Sequence, residues 1–280
     1  MALEDVRSPG GNGAPEQSGS RPPHDNPLAV STLTVGGMKI ARLSRGELAG
    51  LMHQDVTLAR QGVLAVPRVI TSANGSVVAA YHSDPVQRRY FDAADLVDAD
   101  GMPLVFASRL FCRTPLSERT ATTDFLLDAC ETAAREGIRF FFLGSRPGVA
   151  MRAADHLRSR YPGLQVAGCH HGYFGDGEID RICAAIVASR ADVLWVGTGS
   201  PRQERFAVEN RHRLAGVAWI RTCGGLFDHY GGGVSRAPDW MQSLGLEWLY
   251  RAAREPIRLG WRYLVTSPVA IYHLLTKTHD

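Results

Sequence analysis

Apolar positions along this chain fall into two recurring patterns. Short unbroken runs such as FFFLG, DVLWVG and VAWIRT read as strands buried on both faces. Longer stretches between them carry apolar residues at helical spacing, with polar residues on the remaining face. LTVGGMKIARL predicts a short strand with a Gly-Gly turn, and SRGELAGLMHQDVTLAR a helix with Ser44 as N-cap and Glu47 closing a capping box. VPRVITSANG predicts a strand that stops at Ser72-Ala73-Asn74-Gly75. SVVAAYHSDPVQRRYFDAA predicts a helical stretch broken near Pro85. DLVDADGMPLVFASRLF gives a strand, a loop at Asp100-Gly101 and a helix with Pro103 in its first turn. TTDFLLDACETAAREG reads as a helix capped by Thr122 or Thr123 and stopped by Gly137. From Ile138 to Gly225 strand and helix alternate with short connections.

That alternation predicts βαβ units, hence an α/β, Rossmann-like parallel sheet covered by helices. In such sheets ligands bind outside the carboxyl ends of the strands. Here those ends carry Ser72 and Asn74, Asp100-Gly101, Gly144-Ser145, His171-Gly172-Tyr173, Gly197 to Ser200, and Gly224 to Asp228. Glycines admit a ligand to the backbone, and helix N-termini offer free N–H groups to an anion. FFFLGSRPGVA lacks both the GxGxxG fingerprint and the ending of a P-loop, so it reads either as a phosphate-binding turn or as a plain βα turn. WVGTGSPRQE is more pointed. Gly197 and Gly199 flank Thr198, Ser200-Pro201 fits an N-cap and first helical residue, and Gln203 is expected to face a ligand. Glu204 suits the positive end of a helix.

Composition narrows the classes. The chain has 280 residues, is 45% hydrophobic and carries a formal net charge of +3, too little to argue for nucleic acid. Its five cysteines form no CxxC pair. Cys169-His170-His171 lacks a second close cluster, so no metal site is expected. Residues 1–30, rich in Gly, Pro and Ser, read as a disordered tail without a secretory pattern, and no apolar run reaches spanning length. The C-terminal part differs. Arg251, Arg254, Arg258 and Arg262 interleave with Trp248, Tyr250, Trp261 and Tyr263, and Pro256 divides two short helices. A solvated charged face, a nucleic-acid surface and an anionic-lipid surface compete for that pattern.

Taken together, DADGMPLV, LSERTATTD, FFFLGSRPGVA, YPGLQVAGCHHGYF, VGTGSPRQE, GGLFDHYGGGVSRAPDW and GLEWLYRAAREPIRLGWRY resemble, in order, the WecG/TagA/CpsF glycosyltransferases, over residues 65–265. The resemblance implies an inverting enzyme without a cofactor or metal. It would transfer a sugar (N-acetylmannosamine, its uronic acid, or glucose) from a UDP-sugar to a polyprenyl-diphosphate-linked acceptor in cell-surface or exopolysaccharide synthesis. It makes Asp100 the general base and places Arg119 and Gln203 at the diphosphates. Ser72 stands where the family has threonine, with Thr71 beside it, and Asn74 is retained. Asp228 is implied at the uridine and Tyr173 at the nucleotide, with Gly144, Gly197, Gly199 and Ser200 lining the donor site. Residues 31–238 become the catalytic core and 239–280 a membrane-docking appendage that brings Arg251, Arg258 and Arg262 to the lipid diphosphate. The enzyme would lie peripherally on the cytoplasmic membrane face, without nucleic acid and with homo-oligomers possible in principle. A nucleotide-dependent oxidoreductase and a non-enzymatic membrane-associated module are the alternatives.

Overall fold

The computed structural model describes residues 30–233, 237–238, 240–241 and 246–280, apart from the side chains of residues 251, 258 and 259. The expected tail therefore lies almost wholly outside the described residues. The chain opens with a hairpin, β1 (Thr32–Val35) and β2 (Met38–Ala41), followed by α1 (Arg45–Arg60). Next come β3 (Arg68–Ala73), α2 (Gly75–Ser83), α3 (Pro85–Ala93), β4 (Leu96–Ala99), α4 (Met102–Phe111) and α5 (Thr122–Glu136). The second half runs β5 (Arg139–Gly144), α6 (Val149–Arg160), β6 (Gln165–His170), α7 (Ile179–Ala188), β7 (Val193–Gly197), α8 (Arg202–Asn210), β8 (Trp219–Thr222) and α9 (Leu226–Gly231). Helix α10 (Glu247–Arg254), a π-helical turn (Pro256–Gly260) and α11 (Trp261–Thr276) close the chain.

Local chemistry sets most boundaries. Ser44 and Glu47 form the expected capping box, and Gly137 ends α5 in the left-handed conformation at φ 62°. Asp84 caps α3 just before Pro85, which cannot continue α2. Two caps differ from expectation. Helix α5 begins at Thr122 with Ala121 as N-cap, so neither threonine supplies the cap. Pro201, not Ser200, is the N-cap of α8, because the Ser200 hydroxyl donates instead to Gln87 Oε1 at 3.3 Å. The last helix, α11, runs through Pro268.

Six parallel strands form the sheet in the order β4-β3-β8-β7-β5-β6. One face packs against α1, α5 and α6 through Phe125, Phe140, Phe142, Trp195 and Trp219. Ile182, Ile186 and Phe206 cover the opposite face from α7 and α8. A third cluster joins the hairpin, α2 and α4 to Leu274 of α11. The chain end is fastened there too: Gly36 N donates to Thr278 Oγ1 at 3.0 Å, and Thr34 pairs with His279.

Candidate functional site

The connection leaving β5 runs outward to β6, whereas that leaving β7 runs the other way to β8. Adjacent strands with diverging connections open a crevice at their carboxyl ends. Glycine makes this one narrow and exposes its backbone. Gly144 and Gly197 are register partners, and a Cβ on Gly144 would lie 2.4 Å from the Gly197 carbonyl oxygen. Gly197 in turn abuts the Gly224 carbonyl, and Gly172 abuts Thr198 and Gly144. Ser145, at φ 55°, donates its hydroxyl to Asp228 Oδ2 at 3.0 Å, which ties the β5 loop to α9. Neither α6 nor α8 has a side-chain cap at its N-terminus; Val149 N is taken by Arg146 O and Gln203 N by Gly199 O, and the other first-turn N–H groups are left toward this rim. Gly199 supplies the turn before α8 at φ 82°, and Tyr173 stands exposed on the loop after β6.

A second group of residues gathers at the ends of β3 and β4. Asp100 follows β4 directly, and its carboxylate accepts from Thr122 N at 3.0 Å and from Asn74 Nδ2 at 3.4 Å. The first contact explains the missing cap on α5: Asp100 provides the acceptor from across the loop. Asn74 is held by its own capping bond, with Val77 N donating to Asn74 Oδ1 at 3.2 Å. Gly101 allows the close approach, for a Cβ there would meet Asn74 at 3.2 Å.

Beneath Asp100 lies a buried ion pair. Asp98 is the register partner of Ser72, and Arg221 Nη2 stands 2.7 Å from Asp98 Oδ2. Both are fully enclosed. Burial pushes the Asp98 carboxyl up to about 6, partly offset by the Arg221 charge. The same Nη2 donates to Ser72 Oγ at 2.8 Å and to Thr122 Oγ1 at 3.2 Å. This settles which of the paired hydroxyls belongs to the cluster. Ser72 faces Thr122, whereas Thr71 is buried and bonded to Thr222 at 2.9 Å.

Gln203 is buried with both ends of its amide engaged. Gly224 N donates to its Oε1 at 2.9 Å, and its Nε2 donates to Glu204 Oε1 at 2.7 Å. It thereby joins α8 to the loop after β8, at the floor of the glycine crevice. Glu204 is also buried, which raises its carboxyl above the ordinary range despite the Gln203 bond. Arg202 lies over the Phe174 ring at 4.9 Å, and Arg205 pairs with Glu209 and Asp176.

Arg119 bridges two elements. Its Nη2 reaches Asp124 of α5 at 3.3 Å and its Nη1 reaches Glu247 of α10 at 3.4 Å. Arg262 is exposed and turned toward Tyr263. The side chains of Arg251 and Arg258 lie outside the described residues. His170 and His171 pack ring to ring at 4.5 Å, and among the described residues no group of three His, Cys, Asp or Glu side chains is placed to hold a metal ion. Nor is any described helix long and apolar enough to cross a membrane. Sequence reasoning missed Asp98, Arg221 and Glu247. A lone Arg and a lone Asp inside otherwise apolar strands were the available signal for the first two.

Comparison with known proteins places this geometry in context. The model of the Glycosyl transferase WecG/TagA/CpsF family matches residues 33–279. An N-acetylglucosaminyldiphosphoundecaprenol N-acetyl-beta-D-mannosaminyltransferase of Bacillus spizizenii is 30% identical over 199 residues, covering 71% of this chain and 75% of that protein. A protein of the same description from Bacillus subtilis strain 168 is 32% identical over 203 residues, covering 71% and 76%.

Proposed function

The chain belongs to the WecG/TagA/CpsF family of glycosyltransferases, and we propose that it moves an N-acetylmannosaminyl-type sugar from a UDP-sugar to a sugar carried on a polyprenyl diphosphate. The acceptor class and the sugar follow the description shared by the two Bacillus relatives. The observation that carries the reading is the Asp100 carboxylate, oriented by Thr122 N and Asn74 Nδ2 at the end of a strand. The rim that contains Asp100 also holds the glycine crevice.

The chemistry is one displacement. The acceptor hydroxyl attacks the anomeric carbon from the side opposite the diphosphate and gives its proton to Asp100. The anomeric carbon–oxygen bond to the diphosphate breaks, and UDP leaves with the electron pair. Inversion results. Asp100 is suited to the proton because its two donors fix its direction without consuming every lone pair. Backbone donors at the starts of α6 and α8, with Arg119, meet the charge that develops on the leaving diphosphate. Gln203 keeps the crevice floor in place, and Asp228 is positioned by Ser145 for the nucleoside.

The acceptor would arrive from a membrane surface at the inner face of the cell membrane. From Pro256 to His279 the chain has no Asp or Glu, and Trp261, Leu264 and Tyr272 of α11 are exposed. Neighbouring α4, which leads away from Asp100, also lacks acids and exposes Phe106 and Leu110 beside Arg109. Basic, aromatic and apolar side chains together suit anionic headgroups.

The test is UDP release from a panel of UDP-sugars with a GlcNAc-diphosphate-lipid acceptor, with mass analysis of the product. UDP-N-acetylmannosamine is expected to give a disaccharide lipid, and Asp100→Asn to slow release by about 10²- to 10⁴-fold while leaving the fold intact. Near-normal release by that variant sinks the assignment. Metal independence belongs to the same reading, and chelator in the assay is expected to leave the rate unchanged.

A further inference from the structure

We infer that Arg221, with Asp98 as its buried counter-ion, is a positioning residue that sets the direction of Asp100 through Thr122. The inference rests on Asp100 being the base.

Thr122 is the junction. Its backbone N–H donates to Asp100 Oδ1 at 3.0 Å, and its hydroxyl lies 3.0 Å from Ser72 Oγ. The Arg221 Nη2 group directs its hydrogens to those two hydroxyls, at 2.8 and 3.2 Å, while its charge faces Asp98. Nε and Nη1 of Arg221 have no acceptor among the described residues, and the guanidinium rests over the Phe125 ring at 5.3 Å. All polar contacts of this enclosed cation therefore pass through one nitrogen toward the threonine that holds the base. A guanidinium kept only for packing would not be placed so, because an apolar chain of its size fills the same space at lower desolvation cost.

Asp98 explains how the cation can be tolerated there. Without a counter-ion, the Arg221 charge would act on Asp100 and weaken it as a base. The charged groups facing Asp98 are Arg221 from β8 and Asp100 from the end of its own strand, while β3 and α5 contribute the Ser72 and Thr122 hydroxyls. With Asp98 ionised, above about pH 6, the pair is neutral as a unit, so it orients Thr122 without drawing charge from Asp100.

The test is the pH profile of kcat/KM for UDP release from UDP-N-acetylmannosamine and a GlcNAc-diphosphate-lipid acceptor, measured on the full chain. Asp98→Asn is expected to shift the acid limb downward by about half to one pH unit and lower the plateau roughly tenfold. The double variant Asp98→Asn, Arg221→Met removes both charges. Its acid limb returns to the parental position, with the plateau still low because Thr122 has lost its donor. Thr122→Val is expected to lower the plateau without moving the limb, and Thr122→Ser to restore the rate. An unmoved limb in Asp98→Asn, or a full rate in Thr122→Val, overturns the inference. Should the buried-pair variants fail to fold, the threonine variants decide it. Asp100→Asn separates the two readings: if it stays active the base assignment fails, whereas if it is inactive and the limb of Asp98→Asn stays put, only the positioning role fails.

Discussion

Replacing Gly144 with alanine puts a methyl group where there is no room for one. The new Cβ would sit 2.4, 2.6 and 2.8 Å from the carbonyl oxygen, carbonyl carbon and Cα of Gly197. Non-bonded heavy atoms are comfortable at about 3.5–4.0 Å, so the overlap is about 1 Å. Every atom in the way is backbone, and no rotamer change can relieve it. Strands β5 and β7 must part at their carboxyl ends, where Ser145 N also donates to Gly197 O at 3.1 Å. Overpacking of this kind costs about 1–3 kcal/mol. In a chain of this size that corresponds to a Tm lower by roughly 5 °C, since 1 kcal/mol shifts Tm by about 2–4 °C. Because the parted strands are the walls of the crevice, UDP affinity should fall at least about tenfold, the equivalent of about 1.4 kcal/mol. Differential scanning fluorimetry and titration calorimetry with UDP read the two effects. Gly175→Ala, at a position with open space and ordinary φ, is the control and should change neither. A Gly144→Ala protein with parental Tm and parental UDP affinity would refute the reasoning.

Asp55→Ala should destabilise the fold by about 3–5 kcal/mol in urea titration, because it strips a buried carboxylate from Arg68 at 2.6 Å and from Trp219 Nε1 at 2.6 Å. Leu274→Ala is expected to cost about 2–5 kcal/mol, since this side chain of α11 is buried among the hairpin, α2 and α4; an unchanged urea midpoint would show that α11 is not part of the core. The raised carboxyl of Asp98 also gives a sign for pH. Its folded value of about 6 exceeds the ordinary 3.8, so its favourable contribution is complete below about 4 and lost as pH rises through 6. Wild type should therefore gain stability on Asp98→Asn by up to about 3 kcal/mol as pH falls from 7 to 4, and a constant difference across that range would contradict the burial argument.

The legible parts of the molecule were those written in neighbouring residues. Ser44 and Glu47 predict a capping box, Gly137 a left-handed stop and Pro85 a helix break, and all three are local events. Apolar runs such as FFFLG predict strands covered on both faces, and the parallel sheet follows. What could not be read is what crosses the fold. Nothing near Ser200 announces that its hydroxyl turns to Gln87, more than a hundred residues earlier. The start of α5 is capped by Asp100, which lies beyond the reach of any helix-start pattern. Gln203 stood out in the sequence as a candidate, but its two partners, Gly224 N and Glu204, became visible only when β7 and β8 were set side by side. Arg221 and Asp98 stand more than a hundred positions apart, so each looked like an isolated charge in a strand.

The strand order carries a consequence for how the chain is made. β3 pairs with β4 and β5 with β6, each from segments close in sequence, yet the two pairs touch only through β7 and β8, the last strands of the sheet to be synthesised. Until β7 has left the ribosome β5 keeps an open edge, and β3 keeps its own until residue 222 has followed; an open edge in a nascent chain is a template for wrong partners. The crevice between β5 and β7 and its joining to β8 are thus late events. Chains truncated before β8 would fail as two unjoined half-sheets rather than as a weakened enzyme, and a slow codon cluster or a chaperone is best placed to help between β6 and β8.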